Sequence, residues 1–174
     1  VTVRSGVDGV HGTAQGRGRD GFELPDEADT IAFGRRLGSV LRAGDLVLLS
    51  GPLGAGKTVM VRGIAEGLGV AGQVNSPTFV IARVHRPRPD GRGVPLVHVD
   101  AYRLRGLDEL DDLDLDTDLM DAAVVVEWGE GVAERLSEED HLVVRLNRRP
   151  DDVRELSLEP HGADWADRVA SLLS

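Results

Sequence analysis

Lys57 is the only lysine in the 174-residue chain; the other nineteen basic residues are arginine. It closes the run Gly51-Pro52-Leu53-Gly54-Ala55-Gly56-Lys57-Thr58, which fits the spacing G-x-x-x-x-G-K-S/T of a phosphate-cradling loop. The chemistry explains the residue types. Glycines at Gly51, Gly54 and Gly56, with Leu53 and Ala55 between them, let backbone N–H groups turn toward phosphate oxygens. A slim ammonium reaches the terminal phosphates as a point charge where a broad guanidinium does not fit. Thr58 offers a hydroxyl to Mg²⁺, and a helix starting there points its positive dipole end at the same anion.

Such a loop needs a strand before it and a helix after it. Leu46 to Leu49 is a short apolar run suited to a buried strand, and Val61, Ile64, Ala65 and Leu68 recur at helical spacing. Upstream, Asp26 is the predicted N-cap of a helix whose buried side carries Phe33, Leu37, Val40 and Leu41 and which stops at Ala43-Gly44. Further strands are predicted at 79–84, at 96–99 ending in Asp100, at 124–126 ending in Glu127-Trp128, at 142–146 and at 153–158. The alternation of the last suits an edge strand. A short amphipathic helix from Ala163 to Leu173 closes the chain. Strands and helices interleave, so the fold class is α/β, P-loop NTPase-like, with a mixed, mainly parallel central sheet flanked by helices. The late strands lie too close together for helical crossovers, so they are antiparallel.

In an open sheet of this kind the ligand lies outside the carboxyl ends of the strands. Asp100, at such an end, is the acid of Walker-B type that holds Mg²⁺ directly or through water. Glu127 completes the metal shell or positions the attacking water. Ser76-Pro77-Thr78, after the glycine-rich loop's helix, is placed to sense the γ-phosphate as a switch. Eight acids between Asp108 and Asp121 alternate with leucines and lack the glycine and terminal glutamate of a calcium loop, which makes them a solvated face. The five histidines show no ligand spacing, and His98 reads as a packed strand residue.

Composition bounds the partners. The net charge of -10 and the scarcity of aromatic residues exclude a broad nucleic-acid footprint or a base-stacking platform. Cysteine is absent, which removes disulfides and thiolate chemistry and fits a cytoplasmic protein. No membrane span is visible. Residues 1–21, with six glycines and three arginines, read as a disordered leader, and residues 22–174 as a single domain.

The order of these pieces carries a resemblance: Leu24-Pro25-Asp26-Glu27 with Thr30, then GPLGAGKT with Arg62-Gly63, Asn75-Ser76-Pro77-Thr78-Phe79, His98-Val99-Asp100-Ala101-Tyr102-Arg103-Leu104 and Val126-Glu127-Trp128. Over roughly residues 22–160 the chain resembles the TsaE (YjeE) family, the bacterial ATPase of tRNA threonylcarbamoyladenosine synthesis. The resemblance implies ATP and Mg²⁺ as ligands and work in a complex with TsaB and TsaD, the latter modifying adenosine 37 of tRNA. Contact with tRNA would then be indirect, through the complex. It further implies that Thr58 and Glu127 approach the metal, that Asp100 carries the acid role in hydrolysis, and that Ser76 to Phe79 acts as a switch. The same resemblance implies that Asp26 to Thr30 lies near the adenine and that Arg154 approaches the nucleotide. Two departures stand out: Pro52, where the family carries an acidic residue, and the long leader. Two rival readings remain open from the residues. One is a small-molecule kinase with Arg83, Arg86, Arg88 and Arg92 as a lid; the other is a nucleotide-gated scaffold whose hydrolysis is incidental.

Overall fold

The structure, a computed structural model, describes residues 21–52, 54–74, 82–100, 121–127 and 140–174. Residues 1–20 of the leader expected at 1–21, Leu53, the Ser76–Phe79 segment, most of the acidic run and Trp128 lie outside the described residues, while Gly21 belongs to the first strand. Seven strands form one sheet: β1 (Gly21–Leu24), β2 (Leu46–Ser50), β3 (Ala82–His85), β4 (Leu96–Asp100), β5 (Ala123–Glu127), β6 (His141–Arg148) and β7 (Arg154–His161). Their spatial order is β1-β7-β6-β2-β5-β4-β3. The central β6, β2, β5 and β4 are mutually parallel. β7 runs against β6, and β1 against β7, so β1 points the same way as the central four. β3 closes the far edge antiparallel to β4. The sheet is therefore mixed with a parallel centre, as the interleaving of strands and helices predicts.

Solvent exclusion explains the strand sequences. β2, β4 and β5 are buried along almost all of their length, and the unbroken apolar runs are those of β2 and β5. β7 is not the edge expected from its alternation. β1 covers it, pairing Phe22 with Leu156 and Leu24 with Arg154. Leu156 and Leu158 face the core while their neighbours stay partly exposed, so the alternation records a sheet with one covered face.

Three helices are described: α1 (Glu27–Val40), α2 (Lys57–Leu68) and α3 (Ala163–Leu173). α1 starts in a reciprocal capping box. The Asp29 N–H donates to Asp26 Oδ1 at 3.0 Å, and the Asp26 N–H donates to Asp29 Oδ2 at 3.2 Å. It ends at Val40, before the predicted Ala43-Gly44 stop, and Arg92 Nη1 donates to the terminal carbonyls of Gly38 (2.9 Å) and Leu41 (2.6 Å). α3 buries Trp165, Val169 and Leu172. Its Arg168 forms a buried bidentate pair with Asp45, at 2.6 and 2.8 Å, and lies 3.7 Å from the Trp165 ring centroid.

α1 and α2 meet backbone to backbone. A Cβ on Gly34 would come within 2.5 Å of the Met60 carbonyl, and one on Gly38 within 2.3 Å of the Ile64 carbonyl. Glycine on both helices removes the side-chain layer that normally holds axes about 8–10 Å apart. The start of α1 is thereby tied closely to the helix that follows the glycine-rich loop. Among the described residues, no helix is long and apolar enough to cross a membrane.

Candidate functional site

The site lies where the parallel strands end. β2 delivers the chain into Gly51, whose φ of 153° and tight surroundings require glycine: a Cβ there would sit 2.2 Å from the Leu146 carbonyl of neighbouring β6. Gly54 (φ 80°) and Gly56 (φ 101°) turn the loop back, and α2 begins at Lys57. Ala55 is fully buried beneath the loop, and its N–H donates to Pro52 O at 3.1 Å.

The two main helix starts are built differently. α1 satisfies its first N–H groups with its own carboxylates. α2 has glycine at its N-cap, no side-chain cap and no acid in its first turn. An uncapped start with positive dipole and no negative side chain is the arrangement that receives an anion.

Lys57 is 5% exposed, and its Nζ donates to the carbonyls of Gly51 (2.7 Å) and Pro52 (2.9 Å). Burial pulls its pKa below the usual lysine value, and the charges of Glu127 and Asp100 partly oppose that. Pro52 serves through its carbonyl, which accepts from both Lys57 and Ala55, so this role does not depend on an acidic side chain.

Asp100 and Glu127 are side by side at the ends of β4 and β5, directly paired in register, and Glu127 is in turn opposite Leu49 of β2. Both carboxylates are buried. Thr58 Oγ1 donates to Glu127 Oε1 at 3.2 Å. The fold thus converges Lys57, Thr58, Asp100 and Glu127 at the carboxyl ends of the parallel strands. Oxygen donors of this kind suit a hard cation such as Mg²⁺. Among the described residues no group of three His, Cys, Asp or Glu could cage a metal alone. Thr58 and Glu127, with Asp100 beside them, are the residues that could hold such an ion.

On the opposite flank, β7 and α1 bring Arg154 and Thr30 to the loop. A Cβ on Gly56 would lie 3.9 Å from Arg154 Nε and 4.0 Å from Thr30 Cγ2. Arg154 Nε is buried without a hydrogen-bond partner among the described residues, while its Nη1 donates to Asp152 O at 3.3 Å. A buried donor lacking an acceptor beside an uncapped helix start is a fitting neighbour for a phosphate or ribose oxygen. Thr30 is fully buried, and Asp26 is exposed at the α1 cap. The Asp29 backbone N–H, and to a smaller degree Arg154, holds the Asp26 carboxyl below the usual range.

Sequence reasoning missed two features. His98 is more than a packed strand residue: it is fully buried and its Nε2 lies 2.5 Å from Glu127 Oε2. The period of two in Leu96-Val97-His98-Val99-Asp100 puts His98 on the face of Asp100, and that was the available signal. The second is Arg92, one of the four arginines that the kinase reading places in a lid. Arg92 is occupied in holding the end of α1, and Arg88 Nε lies 3.6 Å from Asp90 Oδ1. Leu53 and Thr78, both expected at the nucleotide, lie outside the described residues.

A strand, a glycine-rich turn and an uncapped helix, set in a parallel-centred sheet with two carboxylates at the adjoining strand ends, define a P-loop fold. Comparison with solved structures agrees: the crystal structure of Bacillus subtilis YdiB superposes with a TM-score of 0.69 at 30% sequence identity, covering 87% of this chain and 92% of that one. The family profile described as threonylcarbamoyl adenosine biosynthesis protein TsaE matches residues 24–156. Curated relatives bearing the name tRNA threonylcarbamoyladenosine biosynthesis protein TsaE include one from Streptomyces coelicolor, 58% identical over 82% of this chain and 97% of its own length. One from Mycobacterium bovis is 61% identical over 72% of this chain and 77% of its own. One from Bacillus subtilis is 40% identical over 79% and 82%. The chain belongs to the TsaE family.

Proposed function

We propose that this chain binds ATP with Mg²⁺ at the start of α2 and hydrolyses it within the machinery of tRNA threonylcarbamoyladenosine synthesis, acting with TsaB and TsaD. The observation that carries the reading is the uncapped α2 start, ringed by Lys57, Thr58, Asp100, Glu127 and Arg154, whose Nε has no acceptor among the described residues. Lys57 leaves the Gly51 and Pro52 carbonyls to hold the terminal phosphates. Thr58 and Glu127 hold the metal, and Arg154 and Thr30 bound the nucleotide on the far side of Gly56. Mg²⁺ supplies neutralisation of charge on the phosphate oxygens. Asp100 orients the attacking water and takes its proton as oxygen bonds to the γ-phosphorus. The bond from phosphorus to the ADP oxygen breaks, and ADP and inorganic phosphate leave.

The net charge of -10 makes direct tRNA binding unfavourable, so the RNA is reached through TsaB–TsaD. Docking on that pair completes the catalytic geometry. Phosphate release, measured with and without TsaB–TsaD and tRNA, tests the reading. Slow release by the isolated chain should rise strongly with the pair. Fast release indifferent to TsaB–TsaD would remove the partnership, and phosphate appearing only on an added small-molecule acceptor would make the protein a kinase.

A further inference from the structure

Glu127 is held at both oxygens. Oε1 accepts from the Thr58 hydroxyl and Oε2 is engaged by His98 Nε2, the closer contact of the two. His98 is fully buried, and its other ring nitrogen, Nδ1, has no partner among the described residues. Facing a carboxylate oxygen, Nε2 is the ring nitrogen that carries a proton and donates. Two adjacent parallel strands fix the geometry, since Val125 lies opposite His98 and Glu127 opposite Asp100.

We propose that His98 is a positioning residue. By fixing Oε2, it sets the rotation of the Glu127 carboxylate so that Oε1 alone is presented to Thr58 and to the cation beside it. The carboxylate then acts through one oxygen of fixed direction rather than through either of two. The inference rests on the reading of Glu127 as a metal or water-positioning group and adds the residue that aims it.

Two substitutions separate reach from polarity. Glutamine carries its amide nitrogen about as far from the backbone as Nε2, whereas asparagine stops near the position of Nδ1. His98→Gln should keep the contact, and His98→Asn should lose it while remaining polar and smaller. Two measurements are made on the full chain: turnover in the presence of TsaB–TsaD, and calorimetric affinity for the non-hydrolysable ATP analogue AMP-PNP in Mg²⁺ and in EDTA. His98→Asn should lower kcat by roughly 10–100-fold, the usual scale for losing a group that orients a metal-site ligand. KM should change little. It should also shrink the affinity gain that Mg²⁺ confers on AMP-PNP, with affinity in EDTA unchanged. His98→Gln should recover both. Thermal melts of the two variants confirm that each is folded before comparison. If asparagine and glutamine behave alike, whether both normal or both impaired, His98 is a packing residue and the inference is overturned. If Glu127→Gln itself leaves turnover and the Mg²⁺ gain intact, the reading of Glu127 falls and takes this inference with it. Impairment in Glu127→Gln with a normal His98→Asn sinks the positioning role alone.

Discussion

Replacing Gly63 by alanine probes how the helix that starts at the phosphate loop is held against the helix that carries Thr30. A Cβ at Gly63 would lie 2.3 Å from the Ile31 carbonyl oxygen and 2.9 Å from the Gly34 Cα. Even a close C–H···O contact needs about 3.3 Å, so the helices must part by about 1 Å. Both obstructing groups are backbone and cannot rotate away. Overpacking of this kind costs about 1–3 kcal/mol, and rigid neighbours place it near ~3. Alanine returns about 1 kcal/mol through its better helical propensity. The net destabilisation is then about 2 kcal/mol, a fall of ~4–8 °C in Tm for a domain of this size. Thermal unfolding followed by circular dichroism measures it, with Ser39→Ala on the exposed side of α1 as a control that should stay within about 0.5 kcal/mol. Since α1 positions Thr30 and α2 positions Gly56, the same variant should bind ATP more weakly in its folded state. A Gly63→Ala protein that melts at or above the wild-type temperature would refute the close-contact argument, because helical propensity alone predicts that sign.

Asp100→Asn and Glu127→Gln should keep the fold and most ATP affinity while lowering single-turnover hydrolysis by about a hundredfold or more, the scale of lost acid–base or metal assistance. Near-normal rates in both would leave these carboxylates as structural strand ends. For Lys57, burial lowers the folded-state pKa below the ordinary 10.5. In the window between the two values the unfolded chain holds a proton that the folded chain has released. Raising the pH through that window therefore stabilises the nucleotide-free fold. ATP phosphates favour the ammonium, so ATP affinity should fall over the same rise, with proton uptake on binding measurable by calorimetry in buffers of different ionisation heat. Arg168→Leu leaves Asp45 buried without its guanidinium partner and should cost ~3–5 kcal/mol in urea unfolding. ATP affinity of the folded variant should be unchanged, because the pair lies away from the loop.

The chemistry concentrated in one stretch of sequence was the most legible. The turn at Gly51 to Gly56 and the helix from Lys57 lie in one contiguous run, and the positions of Asp100 and Glu127 were readable because each ends a strand. Features that depend on distant partners were harder to read. β1 is four residues long, too short for alternation to register, and it exists because Leu156 and its neighbours lie across from it. The antiparallel order of the last strands was readable from their short connection, but the place of β7 inside the sheet was not. His98 carries its role through a contact 29 residues away in sequence. Arg92 looked like a free arginine in a polar loop because the carbonyls it holds are more than fifty residues earlier. The glycines of α1 and α2 resemble helix-weakening residues when each helix is read alone. Their use appears only when Gly34 and Gly63 are seen in contact.

Because Lys57 is the only lysine, isotope-labelled lysine places a single reporter at the proposed phosphate site. Nuclear magnetic resonance of the protein so labelled, titrated with ATP and Mg²⁺, tests the central claim most directly. The side-chain signal should shift saturably as Nζ leaves the Gly51 and Pro52 carbonyls for phosphate oxygens, and the backbone amide at the α2 start should shift with it. A lysine spectrum unchanged at saturating ATP would contradict nucleotide binding at this site and the function built on it.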